Sequence, residues 1–174
     1  MELQQSPGAY APMTIEDKAV QDYAMCLVVL CSLETTITDA VLTLQRKEGD
    51  ENEFVKWAKK PLKKVTDELL VLARKVATGD FFQELHGLSN ACAEALELKK
   101  WRNRHVHARA RLTHGNVIFL LDKDGQPFRL ESEQFHQVTI RAIEAQSRII
   151  STVDVFKNVL EFGDEDELAI PDDD

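Results

Sequence analysis

The sequence predicts a mainly α-helical protein: an up-and-down bundle of about four long helices, with a small β-hairpin inserted before the last helix. Three observations lead to this prediction. Apolar residues recur at spacings of three and four along several stretches, which is the period of one helix face. Only seven Gly and five Pro interrupt the 174 residues. An Asp-Gly turn signal lies between two short apolar runs in the last third of the chain.

Composition describes an ordinary globular protein of one domain, with 44% hydrophobic and 29% charged residues. Three cysteines without zinc-ligand spacing predict buried, reduced thiols and argue against a disulfide framework. The polar, proline-containing residues 1–13 are expected to form a flexible N-terminus and not a signal peptide. The longest apolar run has about half the length that a bilayer span requires. We expect a cytoplasmic protein without membrane, metal or cofactor.

The first two helical regions begin and end at identifiable residues. Thr14 suits the N-cap of a first helix that continues to about Arg46. The middle of this helix is apolar on nearly every side, which predicts a central position or an oligomer interface. A second helical region over 52–76 contains Pro61, which suits the first turn of a new helix because its missing N–H costs little there.

A third helix is expected to end in a basic cluster. A short turn or helix at Phe81 precedes it, and Ser89 or Asn90 can cap its start. Between Lys99 and His114 lie six of the 21 Lys and Arg residues, three of the five His and none of the 30 acidic residues. In a chain of net charge −9, such a cluster indicates a local anionic ligand and not a broad electrostatic footprint.

The last part of the chain changes pattern twice. Apolar runs over 116–121 and 126–130 flank the Asp-Gly turn and predict the hairpin. A final helix opens at Ser132 and continues to about residue 161, which closes a helical domain over 14–161. The remaining residues, 162–174, are rich in acids and are predicted to be a disordered tail.

Within the basic cluster, Arg102 and the polar Asn103 are followed by three residues and then by His107. The string Trp-Arg-Asn-Arg-His-Val-His at 101–107 resembles the signature of the HEPN superfamily, in its frequent Arg-Asn-x-x-Val-His form. This superfamily consists of all-α proteins and includes many prokaryotic RNases. The resemblance extends over the predicted bundle, about 14–160, and its specific part is the six residues of the motif.

The resemblance implies a metal-independent endoribonuclease, acting as a toxin or an antiviral defence effector, in which the ribose 2′-hydroxyl attacks the adjacent phosphate. His107 would be the acid or base, since histidine titrates near neutrality. Arg102 would clamp the phosphate through its planar fork of donors. Asn103 would hold the phosphate or orient the histidine. These three residues form the predicted catalytic set.

Other cations near the motif are expected to guide the RNA backbone, and these predicted RNA-binding residues are Arg104, His105, Arg109 and Arg111. Positions five apart on a helix differ by about 140° in direction, so one motif makes a poor pocket alone. The family's habit of pairing two motifs across an interface therefore leads us to expect a homodimer. A regulatory protein is a further expected partner. One family variant carries a Tyr, used for nucleotide transfer, where this chain has Arg109, so that regulation is not implied.

Simpler interpretations stay open for individual residues. His107 can serve only to complement the negative end of a helix dipole. A zinc site from His105, His107 and His114 is not expected, because it has no cysteine or carboxylate partner nearby. Glu34, which is polar within the apolar part of the first helix, either faces the basic cluster as an ion pair or points to solvent.

Two other functions stay open for the whole chain. One is a HEPN-like module that binds nucleotide or RNA without cutting it. The other is a structural helical dimer whose basic cluster contacts the acidic tail of a neighbour. The eight acids among residues 161–174 can also occlude the cluster of their own chain.

Overall fold

The computed structural model describes residues 18–77, 81–106, 109–112, 117–121 and 127–162, and for 109–112, 117–120 and 127–130 it describes the backbone alone. These residues form helices α1 (Lys18–Leu44), α2 (Glu51–Ala58), α3 (Leu62–Val76), α4 (Phe82–Val106) and α5 (Ser132–Phe162), and strands β1 (Arg109–Leu112), β2 (Val117–Leu121) and β3 (Pro127–Glu131). The described part is mainly helical, as predicted, with four long helices and the short α2. The predicted flexible N-terminus and nearly all of the predicted acidic tail lie outside it.

Helices α1 and α5 lie side by side and run parallel. Near the start of both helices, the ring centroids of Tyr23 and Phe135 are 5.4 Å apart. At their far ends, the guanidinium of Arg46, just beyond α1, donates a hydrogen bond to the carbonyl of Leu160. This pair of helices therefore forms the centre of the fold.

Helix α4 packs on α5 in the opposite direction. Trp101, near the end of α4, lies 6.3 Å from Phe135 at the start of α5, measured between ring centroids. Phe81, just before α4, lies 6.0 Å from Phe156 near the end of α5. The end of α4, where the basic cluster begins, is thus held against the starts of α1 and α5.

The core is filled by apolar side chains from all five helices. Its largest fully buried members include Leu33, Ile37, Leu69, Leu88, Leu98, Phe135, Ile149 and Phe156. Of the described helices, α1 alone is long and apolar enough to cross a membrane. A helix in the core of a protein can have the length and apolar composition of a membrane span. Helix α1 buries one face in the core, and the side chains on that face include Cys26, Leu30, Leu33, Ile37 and Val41.

Two predicted helix boundaries are wrong in detail. Pro61 is the N-cap of α3 and not part of its first turn. Helix α4 is continuous from Phe82, and neither Ser89 nor Asn90, the two alternative caps that the sequence predicts, begins a separate helix. Burial of side chains on both sides of that position, among them Leu88, favours continuation of the helix because tertiary packing overrides local capping preference.

The prediction of three buried cysteines holds for Cys26 and Cys92, whereas Cys31 is exposed. Burial raises the pKa of the Cys92 thiol to about 12, so this side chain stays a protonated thiol near neutrality. Cys31 differs because it lies on the solvent side of α1, next to Arg102 of α4.

Between α4 and α5 the backbone forms an antiparallel sheet of order β1-β2-β3. Residues 110 and 120 are opposite each other in the first pair of strands, and 119 and 129 in the second. Strand β1 was not predicted. The Asp-Gly turn on which the hairpin prediction depended lies outside the described residues.

Because Phe156 is fully buried, Phe156→Ala should lower the free energy of unfolding by about 3–5 kcal/mol, through lost transfer free energy and the cavity that remains. The matched control is Phe162→Ala in the same helix, where the side chain is 67% exposed and the expected change is below about 0.5 kcal/mol. Urea denaturation of both variants measures the difference. Equal losses in the two variants would contradict this packing of α5.

Candidate functional site

The last turns of α4 carry four of the seven predicted site residues: Arg102, Asn103, Arg104 and His105. Cations are favoured there because the helix dipole places partial negative charge at its C-terminal end. His107 lies outside the described residues, just beyond Val106, where α4 ends. Arg109 and Arg111 lie in β1, of which the backbone alone is described. Of the predicted catalytic set, the described structure therefore contains Arg102 and Asn103.

A carboxylate from α1 organises this end of α4. The Oε1 atom of Glu34 lies 2.6 Å from Nη1 of Arg102, and its Oε2 atom lies 2.8 Å from Nζ of Lys99. The three side chains are 21–28% exposed, so the group is at the surface but partly desolvated. Of the two interpretations of Glu34, the ion pair is confirmed. One carboxylate thus joins two cations that are one turn apart on α4.

Arg102 has two further contacts that fix its guanidinium. Its Nη2 atom donates to Oδ1 of Asn103 at 3.3 Å, and its Nη1 atom lies 3.9 Å from Sγ of Cys31. With the Glu34 carboxylate, these contacts hold the planar fork in one orientation. A guanidinium of fixed orientation at a partly exposed position can present its remaining edge to a phosphate.

His105, predicted to bind RNA, is buried in the structure. Its side chain is 4% exposed, and its ring stacks on Trp101 with centroids 3.8 Å apart. Its Nδ1–H donates to the carbonyl of Trp101, and the His105 carbonyl accepts a hydrogen bond from the hydroxyl of Tyr23 at 3.3 Å. Burial lowers the pKa of His105, and the charge of Arg104 lowers it further, against the opposing effect of the bond to Trp101. This position supports the end of α4 from inside the fold.

The group of Glu34, Lys99 and Arg102 opens on a cavity of about 250 Å³, formed by α1, α2, the start of α3 and the end of α4. Sequence reasoning gave no role to two residues of its wall, Trp57 and Lys60. Helical spacing gave no signal for this pair, because Lys60 lies in the turn after α2, where its backbone N–H donates to the carbonyl of Trp57. Lys99 was also not among the predicted site residues, although it lies only three residues before Arg102.

The chain matches no family model, no curated protein and no solved structure. The likeness to the HEPN signature is thus one of a short motif in a helical context.

Because burial lowers the pKa of His105 below its ordinary value of 6.5, the fold holds the neutral ring. The unfolded chain then binds a proton more readily than the folded chain does. This contribution to stability is complete above about pH 6.5 and is lost as the pH falls through the folded-state pKa.

We therefore expect His105→Gln to flatten the fall in unfolding free energy between about pH 7 and about pH 5. Urea denaturation at a series of pH values measures this slope. The matched control is His86→Gln, which replaces an exposed histidine of the same helix. An unchanged slope in His105→Gln would contradict the burial of a neutral ring.

Proposed function

We propose that the protein is a metal-independent endoribonuclease of HEPN type, in which Arg102, Asn103 and His107 form the catalytic set. The observation that carries this proposal is the fixed orientation of the Arg102 guanidinium beside Asn103, at the end of a late helix in a mainly helical fold. The proposal also includes an up-and-down bundle with an inserted hairpin, a cytoplasmic location and a role as a toxin or an antiviral effector.

In the proposed reaction, His107 takes the proton of the ribose 2′-hydroxyl, which attacks the neighbouring phosphorus and displaces the 5′-oxygen. Protonation of that leaving oxygen completes the cleavage and gives a 2′,3′-cyclic phosphate. Arg102 stabilises the negative charge that grows on the phosphate oxygens. Arg104, Arg109 and Arg111 would guide the RNA backbone toward this set.

Glu34 acts in this scheme as a positioning residue. Its carboxylate holds one edge of the guanidinium at 2.6 Å, so the edge that faces the phosphate does not have to be ordered when RNA binds. The same carboxylate also reduces the positive charge available to RNA. Cleavage of a restricted set of RNAs would suit this arrangement better than strong binding to all of them.

An exposed apolar surface beside the motif supports the proposed homodimer. Met25 and Val28 of α1 are 59% and 64% exposed and, three positions apart, share one side of the helix. Cys31, three positions further along, contacts the Arg102 guanidinium. A second copy packed on this surface around a two-fold axis would bring two Arg102 side chains near one groove. A regulatory protein is the other proposed partner.

The second candidate is a module that binds nucleotide or RNA without cutting it. The ion pair between Glu34 and Arg102 favours it, because an arginine already neutralised by a carboxylate can anchor a phosphate without activating it. The two functions differ in one measurable product, the cyclic phosphate end.

We expect the purified protein, incubated with mixed RNA in EDTA, to release fragments with 2′,3′-cyclic phosphate ends. Arg102→Ala and His107→Ala should each reduce the rate at least about a hundredfold, because each removes a group that acts on the transition state. The controls are Arg141→Ala, whose side chain pairs with Glu94 on another face, and His86→Ala on exposed α4 surface. Binding of RNA without cleavage would favour the second candidate.

Replacement of Val28 by Asp should weaken dimerisation at least about tenfold, because it places a charge in the apolar surface of α1. The matched control is Val71→Asp on α3, where the valine is 43% exposed. Sedimentation of the three proteins over a range of concentrations measures the effect. A parent protein that is monomeric throughout, or a dimer that Val28→Asp leaves intact, would refute the proposed interface.

A further inference from the structure

The cavity of about 250 Å³ beside the motif has the features of a binding site of its own. It lies between α1, the junction of α2 and α3, and the end of α4. The wall residues used in the argument are Glu34, Trp57, Lys60, Leu62, Lys99 and Arg102. We propose that this cavity binds a phosphate group.

The charge in the wall is positive. Lys60, Lys99 and Arg102 contribute three cations, and Glu34, which contacts two of them, contributes one carboxylate. The excess of positive charge is notable in a chain whose net charge is −9. Cations that converge on a concave, partly desolvated surface attract an anion more strongly than the same cations would on an open surface.

A buried donor in the wall needs an acceptor. Trp57 is 7% exposed, and its Nε1–H has no hydrogen-bond partner among the described residues. An indole N–H can only donate, and a buried donor without an acceptor lowers stability. Trp57 also lines the cavity, so a ligand bound there changes the surroundings of its indole ring.

The start of α3 contributes to the same positive potential. Pro61 at its N-cap makes no side-chain hydrogen bond to the first N–H groups of the helix, and Leu62, the first residue of α3, lines the cavity. Backbone N–H groups and the helix dipole at such an end favour an anion. Lys60 is held close by, with its ammonium 3.1 Å from the centre of the Trp57 ring.

Size and donor geometry favour a phosphate group. Sites for complete small molecules usually measure about 300–1,000 Å³, so this cavity suits one anionic group and leaves the rest of a larger ligand outside. The guanidinium of Arg102, the ammonium groups of Lys60 and Lys99 and the start of α3 come from different elements, which matches a tetrahedral group with several acceptor oxygens. The phosphate can belong to an RNA backbone, a mononucleotide or free inorganic phosphate.

The cavity shares Arg102 with the proposed RNase site, but binding of a phosphate here requires neither cleavage nor the dimer. The test is therefore a binding measurement. In the ¹⁵N-labelled protein, the two indole N–H resonances of Trp57 and Trp101 report on the cavity and on the adjacent core, and Trp57→Phe assigns them.

Addition of inorganic phosphate at constant ionic strength should move the Trp57 indole resonance saturably and leave that of Trp101 nearly in place. Lys99→Met should weaken the response about tenfold, as expected for loss of one charge-assisted hydrogen bond. The matched control is Lys100→Met, since the neighbouring Lys100 pairs with Glu97 on the exposed surface. Lys60→Met provides a second variant on a different element.

Two further titrations identify the source of the phosphate. If adenosine monophosphate saturates the movement of the Trp57 resonance at the same concentration as inorganic phosphate does, the result supports a free phosphate group as the ligand. Saturation at much lower concentration by an RNA with 2′-O-methyl groups, which cannot be cleaved, supports a backbone phosphate. No saturable movement of the Trp57 resonance with any of the three, or an equal response in Lys99→Met, would overturn the proposal. If phosphate binds but the protein has no RNase activity, the proposed cleavage is refuted and the proposed phosphate site is not.

Discussion

The site depends on one carboxylate that α1 supplies to the end of α4. Glu34 lies among apolar residues of α1, and its two oxygens contact Arg102 and Lys99 at 2.6 and 2.8 Å. This contact joins two helices that run in opposite directions, and it sets the direction of the Arg102 guanidinium. An ion pair at 21–28% exposure adds little to the free energy of unfolding. Its effect is on orientation, while the apolar contacts between α1, α4 and α5 stabilise the fold.

Two surfaces meet at Arg102 as a result. On one side lie the exposed apolar residues Met25 and Val28 of α1, and Cys31, which contacts the guanidinium, lies between them and the cavity. On the other side lies the cavity whose wall holds Lys60, Lys99 and Trp57. A single arginine can therefore link assembly of two copies to phosphate binding. Such a link would make the proposed RNase activity depend on both dimerisation and phosphate binding.

Much of the fold could be predicted from the sequence, because helical periodicity is a local property. The mainly helical class, the long first and last helices and the break near Pro61 came from the spacing of apolar and turn residues. Continuity of α4 through Ser89 and Asn90 could not be predicted in this way. Local capping signals favoured a boundary there, and packing of α4 on α5 overrode them.

The sequence by itself determined that cations collect at the end of a helix in an acidic chain, and it led to the prediction that Arg102, Asn103 and His107 form a catalytic set there. Only the tertiary structure decided what those cations contact. Glu34 and Lys99 are 65 positions apart, and His105 is buried although its neighbours in sequence are exposed. Partners so distant in sequence are chosen by how the helices pack, because burial and ion pairing depend on elements that local sequence patterns do not describe.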